Sequence, residues 1–126
     1  MKYFPKLKDN IDTYTSAQDE AFDLIYMFDE EDWIKLEEFM QEVNREGLFT
    51  LFNILANGPF EEAKKIIFKY IRHVDKEVSE EAVVTLAATT DIHDIELSCL
   101  PKDIVEKVKE TESKWEEIAD LKERLA

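Results

Sequence analysis

The chain has 126 residues and a mass of 14.8 kDa, the size of one ordinary domain, so we expect residues 1–126 to form a single domain. Acidic residues outnumber basic ones 30 to 16, for a net charge of −14. This charge argues against a protein that binds nucleic acid, because gripping phosphates needs a positive surface. With only two glycines and three prolines, the chain has too few turn residues for a β-sandwich or a doubly wound α/β domain.

Helical patterns fill the N-terminal half of the chain. Thr15–Gln18 has the form of a capping box and precedes an amphipathic run that ends near Phe28. Asp29 is predicted to cap the next helix, with three further acids in its first turn. Leu48–Ala56 is apolar nearly all round, which predicts the most buried helix. The buried face of the helix after Asp29 is predicted to consist of Trp33, Leu36, Phe39, Met40 and Val43.

The C-terminal half also reads as helix, with Gly58-Pro59 as its clearest boundary. Asp75 is predicted to cap one helix and Pro101 to open the last one. Spacings of three and four predict the buried positions of these helices. They are Ala63, Ile67, Tyr70, Ile71 and Val74 in the helix between Pro59 and Asp75, and Ile104, Val108, Trp115, Ile118, Leu121 and Leu125 in the last helix. The whole pattern predicts an all-α fold of six or seven helices with short turns.

Residues 60–91 resemble a HEAT repeat, which is a pair of antiparallel helices. The resemblance lies in Asp75, Val78, Ala82, Leu86-Ala87 and Asp91, while Ser79 stands where the repeat usually has arginine. An offset of 34 residues also aligns Leu48–Ala56 with Ala82–Thr90, and such periods are typical of α-solenoids. The resemblance implies a HEAT-like, α-solenoid-like array. Small acidic domains of this type resemble bacterial immunity proteins of contact-dependent inhibition and other polymorphic toxin systems.

The negative charge is concentrated in residues 9–46, hereafter the acidic segment. It holds 13 acidic and two basic residues, a net charge of −11, and the rest of the chain carries only −3. Like charges spaced i, i+4 on a helix cost a few tenths of a kcal/mol, and we expect a row of Glu38, Glu42 and Glu46 and a pair at Asp19 and Asp23. Such a face speeds capture of a basic partner, although it also suits a merely solvated surface. The predicted partner-binding residues are Asp19, Asp23, Glu31, Glu38, Glu42 and Glu46.

Two other features of the sequence have a structural interpretation. Trp33 lies inside the acidic segment and could anchor a partner, but its register predicts a place in the core. Lys64, Lys65, Lys69 and Arg72 form a basic patch. We expect neighbouring acids to neutralise this patch, with Glu61 pairing with Lys65.

The sequence offers no convincing catalytic or metal-binding motif, so we expect neither an enzyme nor a cofactor. Asp91, His93, Asp94 and Glu96 include one histidine, too few for a usual zinc site, and are predicted to serve as caps and turn residues. Cys99 is predicted to be a small buried side chain. No secretory signal is readable, the longest uncharged run has 14 residues, and one cysteine suits a reducing compartment. These features predict a cytoplasmic protein.

These features lead to one functional hypothesis and two rivals. We expect an immunity protein that binds a basic toxin domain, such as a nuclease, and blocks it by stoichiometric occlusion, without nucleic-acid or membrane partners. One rival is a helical adaptor that binds a cellular protein and inhibits nothing. The other is an acidic mimic of nucleic acid, which would need carboxylates spaced like backbone phosphates. The sequence does not specify the toxin or the oligomeric state.

Overall fold

The computed structural model describes residues 2–13 and 18–126, with the side chains of residues 10–13 and 18–19 outside that description. The described residues form eight α-helices, a short 3₁₀ turn at Leu97–Cys99 and no β-strand, so the all-α prediction is confirmed with at least one helix more than expected. The predicted cap at Thr15 lies outside the described residues. The helices are α1 (Phe4–Thr13), α2 (Gln18–Ile25), α3 (Glu30–Met40), α4 (Arg45–Ala56), α5 (Phe60–Ile71), α6 (Lys76–Ile92), α7 (Lys102–Glu110) and α8 (Glu116–Leu125).

Short polar side chains start three of these helices. The Asp29 carboxylate accepts the backbone N–H of Asp32 at 2.8 Å at the start of α3, and Asp75 accepts two backbone N–H groups in the first turn of α6. Asn44 does the same for α4 by accepting the N–H of Gly47. Caps of this kind contribute about 1 kcal/mol each because they satisfy helix N–H groups that have no partner within the helix. The caps predicted at Asp29 and Asp75 are confirmed.

The last predicted helix is two helices, broken at 111–115. Ser113 explains the break, because its hydroxyl donates to the Glu80 carboxylate of α6 at 2.7 Å and accepts the backbone N–H of Trp115 at 3.1 Å. Side chains that bond nearby backbone in this way compete with helical hydrogen bonds. Trp115 takes the N-cap position of α8 and is 46% exposed, so its predicted inward position was wrong.

The core forms around α6, which packs against α4, α5 and α8. α4 and α5 each bury six of their 12 residues, so α4 is no more buried than α5. Val74 is 95% exposed and its predicted burial was wrong, since α5 ends at Ile71 and Val74 lies in the turn to α6.

Helices two apart in the chain pack side by side. α4 contacts both α2 and α6, and α6 contacts α8, while α1 packs on α3 and α5 on α7. Polar contacts between such helices recur at sequence separations of 28 to 33 residues. They join Asp32 to Phe4, Arg45 to Asp75, Lys69 to Glu37, Arg72 to Asp103 and Arg124 to Asp91. Helices about 30 residues apart are therefore linked at five places in the described chain.

Candidate partner-binding surface

Among the acidic residues of the segment whose side chains are described, Asp32 is the one that is fully buried. Its Oδ1 accepts the backbone N–H groups of Tyr3 and Phe4, at 3.2 and 3.0 Å, and its Oδ2 accepts that of Asp29 at 3.0 Å. In return, the backbone N–H of Asp32 donates to the Asp29 carboxylate and lowers the pKa of that group. Asp32 holds the start of α1 against α3 and serves folding rather than contact with a partner.

Two glutamates of α3 are engaged in ion pairs. Glu37 accepts from the Lys69 ammonium of α5 at 2.8 Å, and Glu38 lies 3.3 Å from Lys35 one turn earlier in α3. The hydrogen bond to Glu37 raises the pKa of Lys69. Both pairs are largely exposed, so each contributes at most about 1 kcal/mol.

Five other acids of the segment are exposed, and no ion pair joins them to another residue that the structure describes. They are Glu20, Asp23, Glu30, Glu42 and Glu46. A charge without a counter-charge nearby projects its field furthest into solvent. These five carboxylates therefore add to the outward negative field of the acidic segment.

Glu38, Glu42 and Glu46 do not form the predicted helical row. α3 ends at Met40, Glu42 lies in the turn that follows, and Glu46 lies in the first turn of α4. The chain turns here because Asn44 caps a new helix whose apolar face has to reach the core. The prediction that the three glutamates form a row along one helix was therefore wrong, although all three side chains are exposed.

The remaining predicted contacts lie on α2 and α3. Asp19 and Asp23 are four residues apart on α2, one turn, as expected. Asp23 is exposed, while the side chain of Asp19 lies outside the described residues. Glu31 is exposed in the first turn of α3. The predicted set is thus spread over two helices, the α3–α4 turn and the start of α4.

The aromatic and apolar residues of α3 separate into an inward and an outward set. Trp33 is partly buried and packs edge-on against Phe28, with ring centroids 5.3 Å apart, so its predicted core position is confirmed. The next residue, Ile34, points outward and is 53% exposed. Sequence reasoning missed Ile34, whose only signal was its position between the partly buried Trp33 and the buried Leu36.

The basic patch on α5 is neutralised largely as expected. Lys69 bonds Glu37, and the Arg72 guanidinium donates twice to the Asp103 carboxylate, at 2.7 and 3.1 Å, which lowers the pKa of Asp103. Glu61 pairs with Lys64 at 2.7 Å and not with Lys65. Three of the four basic side chains of the patch are therefore paired, Lys69 and Arg72 with other helices and Lys64 within α5.

The residues around His93 form the end of α6 and a turn. Asp91 pairs with Arg124 of α8 at 3.2 Å, His93 ends the helix, and Asp94 has a left-handed φ of 52°. The predicted capping and turn role is confirmed for His93 and Asp94, whereas Asp91 lies inside α6. Cys99 is exposed in the 3₁₀ turn, so its predicted burial was wrong, because three residues of 3₁₀ helix bury no side chain here.

Two clefts open on the surface near α5. The larger, about 620 Å³, lies between the α5–α6 turn and the end of α7 and is lined mainly by charged residues. The smaller, about 440 Å³, lies where the end of α3 and the start of α4 meet the end of α5. Its walls are mixed, with Met40, Val43 and Leu48 on one side and Lys69, Tyr70 and His73 on the other.

Comparison with known proteins identifies no relative of the chain. No protein-family model matches it, and no curated protein or solved structure matches it at a significant level. Among the described residues, no three metal-ligating side chains are grouped as a site. No helix in the same residues has both the length and the apolarity needed to cross a bilayer.

Proposed function

We propose that the protein is a cytoplasmic immunity protein that binds a cognate bacterial toxin. The observation that carries this proposal is the concentration of charge, −11 in residues 9–46, with Asp23, Glu42 and Glu46 exposed and in no ion pair with a described residue. A nuclease needs a positive surface to hold the phosphates of its substrate. An acidic surface complements that positive surface and can cover it.

The mode of action we propose is stoichiometric occlusion of a basic nuclease domain, with no catalysis by this chain. Charge matching speeds the encounter and rejects partners with the wrong charge. The proposed contact residues are spread over α2, α3, the α3–α4 turn and the start of α4. This spread suits coverage of a broad substrate-binding surface better than a single helical row does. The proposed contact residues are Asp19, Asp23, Glu31, Glu38, Glu42 and Glu46.

We further propose that the helices form a HEAT-like, α-solenoid-like array. Two observations support this architecture. Helices two apart in the chain lie side by side, and polar contacts between them recur at 28 to 33 residues, close to the length of one helix pair in such repeats. An array of this kind presents long helix faces on a stiff support.

Expression with a neighbouring gene tests the proposal. Immunity genes are expected directly behind their toxin genes, so the product of the adjacent upstream gene is purified alone and together with this protein. We expect the upstream product to degrade nucleic acid, to form a 1:1 complex with this protein and to lose its activity in the complex. An upstream product with no such activity, or one that stays active when bound, would contradict the proposal, and the latter result would favour the adaptor.

A further inference from the structure

Exposed apolar side chains coincide with the acidic segment. Of the six large hydrophobic side chains that are well exposed in the described part of the chain, three fall within nine residues: Tyr26, Met27 and Ile34, at 54%, 57% and 53%. Single exposed apolar residues are ordinary, but several together mark interaction sites. Residues 26–34 therefore carry four acidic residues and no basic one, together with half of these exposed apolar side chains.

Ile34 occupies the middle of the outward face of α3. With 3.6 residues per turn, the positions three and four residues away lie beside it. These positions are Glu30 and Glu31 before it, both exposed, and Glu37 and Glu38 after it. Glu38 is exposed and pairs with Lys35, while Glu37 is partly buried and pairs with Lys69 of α5. An apolar side chain surrounded by carboxylates has the arrangement of a binding hot spot, in which a central anchor is sealed from water by a polar rim.

The face continues from Ile34 to the cleft of about 440 Å³. Gln41 lies seven residues after Ile34, two helical turns along and so on the same face, and it lines the cleft. The cleft floor includes the rings of Tyr70 and His73, stacked with centroids 6.0 Å apart. Glu42 follows Gln41 in the chain and is exposed, but it does not line the cleft, whose charged lining residue is Lys69.

We propose that this α3 face, from Ile34 to Gln41, is the centre of the contact with a basic protein partner. Ile34 enters an apolar depression on the partner, and lysine or arginine side chains around that depression pair with Glu30, Glu31 and Glu38. The choice of a basic protein follows from charge complementarity, because the three exposed carboxylates of Glu30, Glu31 and Glu38 near one apolar anchor repel an acidic partner. The inference rests on the proposed function and adds to it the residue on which affinity depends.

A defined basic probe and a matched pair of variants test this contact. The probe is an 18-residue helical peptide of lysine and leucine in an amphipathic pattern, and its control replaces every leucine by serine at equal charge. Binding is followed by amide resonances of the ¹⁵N-labelled protein. Ile34→Ser is compared with Ile92→Ser, since Ile92 is an isoleucine of equal exposure, 52% against 53%, at the far end of α6.

We expect the lysine–leucine peptide to shift resonances of residues 26–42. Ile34→Ser should weaken its binding about fivefold, as expected for loss of an apolar side chain that becomes buried only on binding, and Ile92→Ser should leave it unchanged. Shifts centred outside residues 26–42 in the wild-type protein, or equal effects of the two variants, would overturn the proposal.

The same variants separate this proposal from the proposed function. If the upstream gene product is inhibited equally by wild type and by Ile34→Ser, the immunity function stands and the α3 contact falls. If that product is never inhibited while the peptide maps to residues 26–42, the contact stands and the immunity function falls.

Discussion

The buried carboxylate of Asp32 accepts the backbone N–H of Phe4 at 3.0 Å, across 28 residues of chain. The same oxygen accepts the N–H of Tyr3, and the second oxygen accepts that of Asp29. One side chain thus supplies the partner for two N–H groups at the start of α1 and completes the cap of α3. In a segment where acids are expected to face a partner, this acid joins two helices.

Two replacements of Asp32 should destabilise the protein to different extents. Asp32→Ala leaves three backbone N–H groups without an acceptor and should lower the free energy of unfolding by about 3 kcal/mol. Asp32→Asn keeps Oδ1 but turns an amide N–H₂ towards the N–H of Asp29, so we expect a loss of about 1–2 kcal/mol. Urea denaturation measures both.

The control for Asp32 is Glu38→Gln, which removes an exposed charge of the same segment. Its effect on the free energy of unfolding should stay within about 0.5 kcal/mol. Equal stabilities for Asp32→Ala and Glu38→Gln would show that the buried carboxylate does not hold α1 on α3.

Replacement of Glu81 should stabilise the protein, whereas replacement of Asp32 destabilises it, and the effect at Glu81 should depend on pH. Partial burial raises its pKa above the ordinary 4.5, and the neighbouring charges of Glu80 and Glu77 raise it further. A raised folded-state pKa means that the folded protein holds the proton more tightly, so this contribution to stability is present at low pH and is lost as pH rises through the raised pKa.

Glu81→Gln should therefore stabilise the protein at pH 7 by a few tenths of a kcal/mol, a small value because solvent screens this half-exposed site. The gain over wild type should disappear below pH 4, where Glu81 is protonated in both states. Thermal unfolding at pH 7 and pH 3.5 measures the effect, with the exposed Glu106→Gln as control. A gain that persists unchanged at pH 3.5 would contradict the assignment.

Cys99 should react with a thiol reagent in the native protein. It is exposed in the 3₁₀ turn, so the single thiol should be modified by Ellman's reagent without denaturant, at a rate within about tenfold of that in urea. A thiol that reacts only after unfolding would place Cys99 in the core, as the sequence alone suggested.

Local chemistry made part of this structure predictable. Asp29 and Asp75 cap helices through bonds to residues two or three positions away, so their sequence context is sufficient. The break between Glu38 and Glu46 lies at Asn44, whose side chain caps α4 by accepting the N–H of Gly47, and apolar periodicity does not encode such a cap. Burial beyond the helix ends was equally hard to assign, since Val74 and Trp115 fit the spacing of buried positions but lie outside α5 and α8 and are exposed.

The central claim is that the negative charge of the acidic segment, and not the total charge of the protein, captures the partner. The most direct test measures association rate constants with the upstream gene product, by stopped flow at low and high salt. One variant carries Glu38→Gln, Glu42→Gln and Glu46→Gln. Its control carries Glu106→Gln, Glu110→Gln and Glu117→Gln, which removes three exposed charges outside the acidic segment and leaves the same net charge.

The first variant should associate about tenfold more slowly at low salt and depend less on salt, because electrostatic steering is lost. The control should associate at nearly the wild-type rate. Equal rates for the two variants at both salt concentrations would contradict the account.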